Sequence, residues 1–321
     1  MPAVHLFQQS YSYRYHYLHQ PGFDVFSFLE IAAADGFTGV SINANGANYR
    51  QLSGTSDAHF RAVRQRLQHL KLRCDLETSD TAPKHMETLL RVGQDLGIEQ
   101  LRTYMRHGGS VDETIARTIT DLKEVARLAE QAGIRVLLEN HEDFTGPELA
   151  AILAAVDNPW VAALYDYGNS MMVGEQPLTA LEAILPFVRS AHLKDHVCID
   201  ATQTPDGRLW VLGVPIGSGF LPIVEITQRL VAAGLDRLIM SSVWGYHAPI
   251  HDRRGDGELG QGVFAYAPPP FDPVDRPIGV DDLMKSDPAR LVDLELAAAR
   301  RGQDWLREAL ATAGISVIAR A

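Results

Sequence analysis

Cysteine is nearly absent, with two residues, Cys74 and Cys198, in a chain of 321. Neither sits at metal-ligand spacing, and a single pair cannot build a disulfide framework. The fold must therefore rest on its core, and a reducing, cytoplasmic setting is expected. There is no uninterrupted apolar run of 18 residues, which argues against a membrane-spanning helix. The opening MPAVHLFQQSYSYRY has neither the basic start nor the apolar centre of a secretory signal. Basic residues are the minority, 29 against 40 acidic ones, for a formal net charge of -11. Arg253-Arg254 lies beside Asp252 and Asp256. A nucleic-acid partner needs clustered Lys and Arg to meet phosphates, so none is expected. No G-x-G-x-x-G follows the first apolar run, which speaks against dinucleotide binding.

What is present is a regular alternation of short apolar runs and helical patterns. The 46% apolar content suffices for a large core. Strands are expected at 4–13, 37–42, 72–77 and 100–105. The helices between and after them are expected at 25–34, at 56 or 57 to 70, at 84–96 and at 112–132. Further helices are expected at 146–156, 177–185, 222–233 and 288–313, with an eighth strand at 237–243. Asp24 suits an N-cap, and Gly36, Gly97, Gly133 and Gly234 suit helix ends, where glycine takes the left-handed conformation at no steric cost. Eight strand-then-helix units specify a parallel sheet with right-handed crossovers. A closed (β/α)8 TIM barrel spanning 1–321 as one domain fits best, with an open doubly wound sheet as the alternative. The irregular stretch 247–286, with its FAYAPPPF run, is too long for a routine loop and reads as a lid or an oligomer contact. Residues 196–220 read as a loop, and GVPIGSG within it as a structural turn, with a phosphate cradle as the weaker reading.

Three runs stand out: VLLENHEDF, ALYDYGNSM and VRSAHLKDH. Each is apolar until it ends in Glu139, Asp166 or His192. The intervals are 27 and 26 residues, about one βαβ unit each. Two carboxylates and an imidazole thus fall at matching heights on neighbouring parallel strands, at the end of the barrel where active sites form. Taken singly, each would be a cap or an ion-pair residue. Together they form a ligand set for a hard or borderline divalent ion. Asn140, His141, Asn169, Lys194 and Asp195 are placed to support it, although a lone histidine such as His141 is more often simply packed. The tyrosines at 11, 13, 15 and 17, with Arg14 and His16 between them, mark either a packed rim or a substrate contact.

At these residues the chain resembles the xylose-isomerase-like TIM-barrel superfamily of sugar isomerases and epimerases. Its members include ketose 3-epimerases, inosose dehydratases, hydroxypyruvate isomerases and the endonuclease IV group. The resemblance covers roughly 4–245. It rests on strand-end Glu139, Asp166 in D-x-x-N with Asn169, His192 in H-x-K-D with Lys194 and Asp195, and Gly217-Ser218-Gly219. It implies a divalent Mn, Mg, Co or Zn ion on Glu139, Asp166 and His192, and a small oxo-sugar or oxo-sugar acid processed through an enediolate. Glu139, Lys194 and His141 are then the catalytic candidates. Tyr13, Arg14, Arg102, Asn169 and His247, with His107, are the candidates for substrate binding. Members usually end the eighth strand in a fourth ligand, a Glu, whereas LIMSSVWGY offers Ser241 or Ser242 there. Ser242 is at most a weak ligand. Losing that Glu removes one of the two bases an epimerase uses. Three readings stay open: an isomerase or epimerase, a decarboxylase or lyase of an oxo-sugar acid, and a non-catalytic sugar-binding barrel. The nuclease branch is opposed by the net charge.

Overall fold

In the computed structural model, which describes residues 2–250, 253–269 and 271–320, the first seven strands are parallel neighbours in chain order. They are β1 (Ala3–Gln9), β2 (Gly39–Asn43), β3 (Arg73–Glu77), β4 (Gln100–Thr103), β5 (Arg135–Glu139), β6 (Val161–Asp166) and β7 (Val188–Leu193). Strands β8 (Asp195–Ile199) and β9 (Trp210–Val214) lie outside the ring, and β10 (Arg237–Met240) pairs with both β7 and β1 to close it. A short β11 (His247–Pro249) joins β9, and β12 (Ser316–Val317) adds to the start of β1. The result is a (β/α)8 barrel, with β12 added to β1 and a small three-stranded sheet, β8, β9 and β11, outside the ring.

The surrounding helices are α1 (Arg14–His19), α2 (Val25–Ala34), α3 (Asp57–His69), α4 (Pro83–Leu96) and α5 (Val111–Ala132). They continue with α6 (Gly146–Val156), α7 (Pro177–Ile184), α8 (Ile223–Ala232), α9 (Val280–Ser286) and α10 (Pro288–Thr312). Local chemistry sets their limits. Asp24 and Ser56 accept backbone N–H groups at the starts of α2 and α3, and reciprocal capping boxes, Ser110 with Glu113 and Thr145 with Glu148, open α5 and α6. Each such cap contributes about 1 kcal/mol. Among the described residues no helix is long and apolar enough to cross a membrane.

Because alternate strand residues face inward, the barrel fills in tiers. The middle tier is apolar: Phe7, Leu137, Ala162, Leu164 and Ile239 pack together. Gly39 makes room for it, since a Cβ there would stand 2.5 Å from the Phe7 ring. The floor is ionic. Arg237 donates to both Asp75 oxygens at 2.7 Å and to Glu99 at 2.6 Å, and its guanidinium lies over Phe7. Removing one partner of a buried pair strands the other. Arg237→Met is expected to lose about 3–5 kcal/mol of unfolding free energy in a denaturant titration, with much of that recovered in Asp75→Asn/Arg237→Met.

Two stretches depart from the sequence expectation. The first strand ends at Gln9 rather than at residue 13, because Ser10 and Ser12 draw the backbone into a 3-10 turn (Ser10–Tyr13) that leads into α1. Ser10 Oγ accepts from the Asn43 amide and donates to Gln51, while Ser12 Oγ accepts from the Ser242 amide. The tyrosines therefore diverge. The stretch 196–220, expected as a loop, contains an antiparallel hairpin, β8 with β9. Its Val197, Ile199, Trp210, Leu212 and Val214 form a second small core with Ala267.

Beyond β11 the chain passes over the hairpin and the starts of α6 and α7. Ala267 N–H donates to Cys198, Asp256 accepts from Gln176 and Thr179, and Phe264 is fully buried. Pro270 of the triple-proline run lies outside the described residues. Glu175, buried here, accepts the Gly146 N–H at 2.8 Å. Burial, reinforced by Asp256 and Glu148, outweighs that bond and raises its pKa from 4.5 to about 7. The folded state therefore holds more protons than the unfolded chain between these values, and stability falls as pH rises through that window. Glu175→Gln is expected to flatten this slope between pH 4.5 and 7, read as denaturation midpoint against pH.

Candidate metal centre

Glu139 and Asp166 end β5 and β6, two residues above Leu137 and Leu164 of the apolar plug, His192 is the last residue but one of β7, and all three are buried. Asn140 holds the strands in register: its amide oxygen accepts the Asp166 N–H at 2.6 Å and its amide nitrogen donates to the Asp166 carbonyl at 3.0 Å. Asp166 Oδ1 accepts from the Gly168 and Asn169 amides at 2.9 and 3.0 Å. That leaves Oδ2 facing the centre, 3.7 Å from His192 Nδ1. Glu139 Oε1 stands 2.8 Å from the same nitrogen.

Glu77, at the end of β3, was not anticipated as part of this site. Its Oε1 lies 2.9 Å from His192 Nε2 and accepts from Ser41 Oγ at 2.5 Å. Its Oε2 accepts from Gln9 and from Arg102, both at 2.7 Å. Glu77 thus fixes the imidazole from behind and leaves Nδ1 directed at Glu139 and Asp166. A carboxylate on the far nitrogen of a metal-ligating histidine has this role in known centres. Its sequence signal was a carboxylate closing an apolar run, the same signal that marked Glu139.

The centre contains its own cations. Lys194 Nζ lies 2.8 Å from Asp166 Oδ2 and donates to Asn169 at 3.0 Å, and Arg102 Nε lies 3.3 Å from Glu139 Oε2. Burial would raise the carboxyl pKa values, but Arg102 and His192 hold Glu77 and Glu139 below the usual range, and Lys194 and His192 do the same for Asp166. For His192, burial opposes the charge, but Glu77 and Glu139 outweigh it and push the imidazole up to about 10.

The donor set fits a divalent ion. The three candidate ligand atoms lie within 4.8 Å of one another. Donors at bonds of about 2.1 Å stand roughly 3–4 Å apart around one ion. Two carboxylate oxygens and an imidazole nitrogen suit Mg, Mn, Co or Zn.

Above the centre lies a cavity of about 590 Å³. Its wall includes Glu139, His192, Lys194, Asn169, Arg14 and Arg102. His141 also borders it, stacked on Tyr104 with ring centroids 3.7 Å apart. Ser241 borders it too, and its hydroxyl donates to Gln9 at 2.5 Å. Ser242 does not: it has the opposite strand parity and its amide bonds Ser12. Tyr13 is turned into the core against Phe23 and Phe28, so Tyr11 takes its place in the wall. His247 is also away from the wall, stacked on Trp210 at 3.9 Å because the hairpin captures it. His107 is likewise outside the wall and pairs with Asp121 at 2.8 Å. Among the described residues the wall ends at Tyr246.

The glycine turn is filled from within. Asp195 accepts from the amides of Gly217 (2.9 Å), Gly219 (2.8 Å), Leu221 (3.3 Å) and His196 (2.9 Å), which uses the donors a phosphate would need. A Cβ on Gly219 would stand 2.1 Å from Asp195 Oδ1. The turn is structural.

The chain is similar to 3-oxo-isoapionate decarboxylase of Pectobacterium atrosepticum, 27% identical over 57% of this chain and 66% of the relative. It is also similar to the uncharacterized protein YihM of Escherichia coli, 23% identical over 65% of this chain and 63% of the relative. The chain thus spans just under two thirds of the length of each. Among solved structures, an IOLI protein with a bound zinc atom superposes with a TM-score of 0.64 at 12% identity, over 96% of this chain and 99% of that one. At that identity the likeness concerns the fold. Residues 29–262 match the family described as xylose isomerase-like TIM barrel. With that match and the closed eight-strand ring, the chain belongs to the xylose isomerase-like TIM-barrel family.

Proposed function

We propose that this chain is a metal-dependent lyase of a small oxo-sugar acid, with decarboxylation as its leading reaction. The observation that carries this reading is Ser241. Epimerisation through proton removal on one face and return on the other needs an acid–base group on each face. On the inward side of the barrel, directly after β10, stands a hydroxyl tied to Gln9, with no carboxylate to serve as the second base. Of the two carboxylates in the wall, Glu139 belongs to the triad and Glu142 accepts from the Tyr246 hydroxyl. Decarboxylation needs no base for its first step. The carbon–carbon bond to the carboxylate breaks, carbon dioxide leaves, and the electron pair passes to the neighbouring carbonyl oxygen, after which the new carbanion carbon takes a proton. The likeness to a decarboxylase supports the same reading.

Glu139, Asp166 and His192 would hold the ion, which when bound supplies Lewis-acid polarisation of the substrate carbonyl. The cationic side chains beside the triad, Lys194 and Arg102, add fixed positive charge next to the oxygen that gains the electron pair. Asn169, held by Lys194 and within 3.4 Å of Glu139, orients both. His141, at the wall and stacked on Tyr104, is the group assigned to return the proton.

The test is a screen of oxo-sugar acids with the metal-loaded protein in deuterated water, following carbon dioxide and substrate C–H exchange together. Carbon dioxide with deuterium incorporated into the product is the expected result. Exchange without bond cleavage would assign the chain to the epimerases instead.

A further inference from the structure

We propose that Arg14 forms a carboxylate-binding subsite in the wall of the barrel cavity, so that the substrate is recognised as an acid before any bond is broken. This rests on the cavity being the substrate site but is independent of which bond the enzyme cleaves.

Five arginine and lysine side chains border the cavity, Arg14, Arg50, Arg102, Arg106 and Lys194, against two acidic ones, Glu139 and Glu142. This local excess of positive charge sits in a chain of net charge -11. Arg102 and Lys194 already have carboxylate partners in the centre. Arg50 and Arg106 are exposed. Arg14 alone among the five is both buried, at 8% exposure, and without an ion-pair partner among the described residues. Its Nη2 donates to the Tyr15 hydroxyl at 2.9 Å and the Trp244 carbonyl at 2.7 Å, while its Nη1 is buried and meets no acceptor. The carboxylate that bears on it through space, Glu295, is taken up by the Tyr15 and His16 amides and the His16 ring.

A buried cation without a counter-charge is costly unless something supplies one. Here the guanidinium is held rigid rather than released to water. It lies 4.3 Å from the Tyr15 ring centroid and 5.2 Å from that of Tyr11. Such a preorganised planar donor suits a carboxylate. A phosphate dianion would call for several backbone donors as well, and the chain's glycine turn is already occupied by Asp195.

The experiment is calorimetric titration of the full-length protein with three matched probes: D-gluconate, uncharged D-glucitol and D-glucitol 6-phosphate. Wild type is expected to bind gluconate at least about tenfold more tightly than glucitol, the size of one charge-assisted hydrogen bond. Arg14→Gln is expected to remove most of that preference, and Arg229→Gln, on α8 away from the cavity, to leave it intact. If Arg14→Gln does not fold, Arg14→Lys keeps the charge but loses the fork, and the preference should fall by about threefold or more. No preference in wild type, a preference unchanged in the Arg14 variants, or an Arg14-dependent preference for the phosphate would each overturn the assignment. Failure of the lyase reading shows separately, as absence of carbon dioxide release with the gluconate preference intact.

Discussion

Glu139→Gln is expected to lower turnover by about 10²–10⁴-fold, the range for loss of a group acting on a developing charge or a proton in transit. The side chain carries two duties at one point. Oε1 is a candidate ligand atom of the triad, 2.8 Å from His192 Nδ1, and Oε2 faces Arg102 at 3.3 Å. The amide keeps the volume and one oxygen, so the barrel is expected to fold, with Arg102 still held by Glu77 and by the Thr78 carbonyl. What disappears is the negative charge that draws a cation to the site. Metal content and turnover should therefore fall together while the melting temperature changes little. A variant that keeps its metal and loses only turnover would assign Glu139 to acid–base work alone. One that keeps both would remove it from the site.

The second large effect is expected at a residue that never borders the cavity. Glu77 is fully buried and receives four partners: Ser41, Gln9, Arg102 and His192. Replacing it with Gln removes the charge that neutralises Arg102 and orients His192. Breaking a buried pair in this way typically costs about 3–5 kcal/mol, because the remaining ion stays buried. Loss of an orienting carboxylate behind a ligating histidine typically weakens metal affinity about 10–100-fold. Both effects should appear in Glu77→Gln, as a lower denaturation midpoint and a weaker metal isotherm. An unchanged midpoint would mean that Arg102 is held by Glu139 and backbone alone, and an unchanged isotherm that Glu77 does not position His192.

The barrel and its triad were legible in the sequence because each has a short-range signature. The eight units follow from apolar runs, caps and helix-ending glycines. Glu139, Asp166 and His192 follow from polar residues ending such runs at one βαβ interval. Glu77 carries the same local signature, but its interval to Glu139 spans two units and a different β4 end, so it does not join the regular series. Ser241 and Ser242 cannot be separated without the strand's parity. Ile239 in the apolar plug supplies it, and places Ser241 inward. Tyr13 and His247 depend on contacts remote in sequence. Ser10 and Ser12 turn the chain off β1 through partners on β2, the loop before α3 and the residues after β10, and Trp210 on the unforeseen hairpin captures His247. The hairpin itself was hidden by a long polar tip, 200–209, that dominates the composition of its stretch.

Glu139, Asp166 and His192 are expected to hold a single divalent ion. Elemental analysis after equilibration with Mn, Mg, Co or Zn and exhaustive dialysis tests it most directly, on the natural chain and on Asp166→Asn. The expected result is about one ion per chain in the former and little in the latter, since one carboxylate of the sole three-residue ligand group among the described residues is lost. A natural chain that retains none of the four metals, or an Asp166→Asn variant that retains as much as the natural chain, would contradict it.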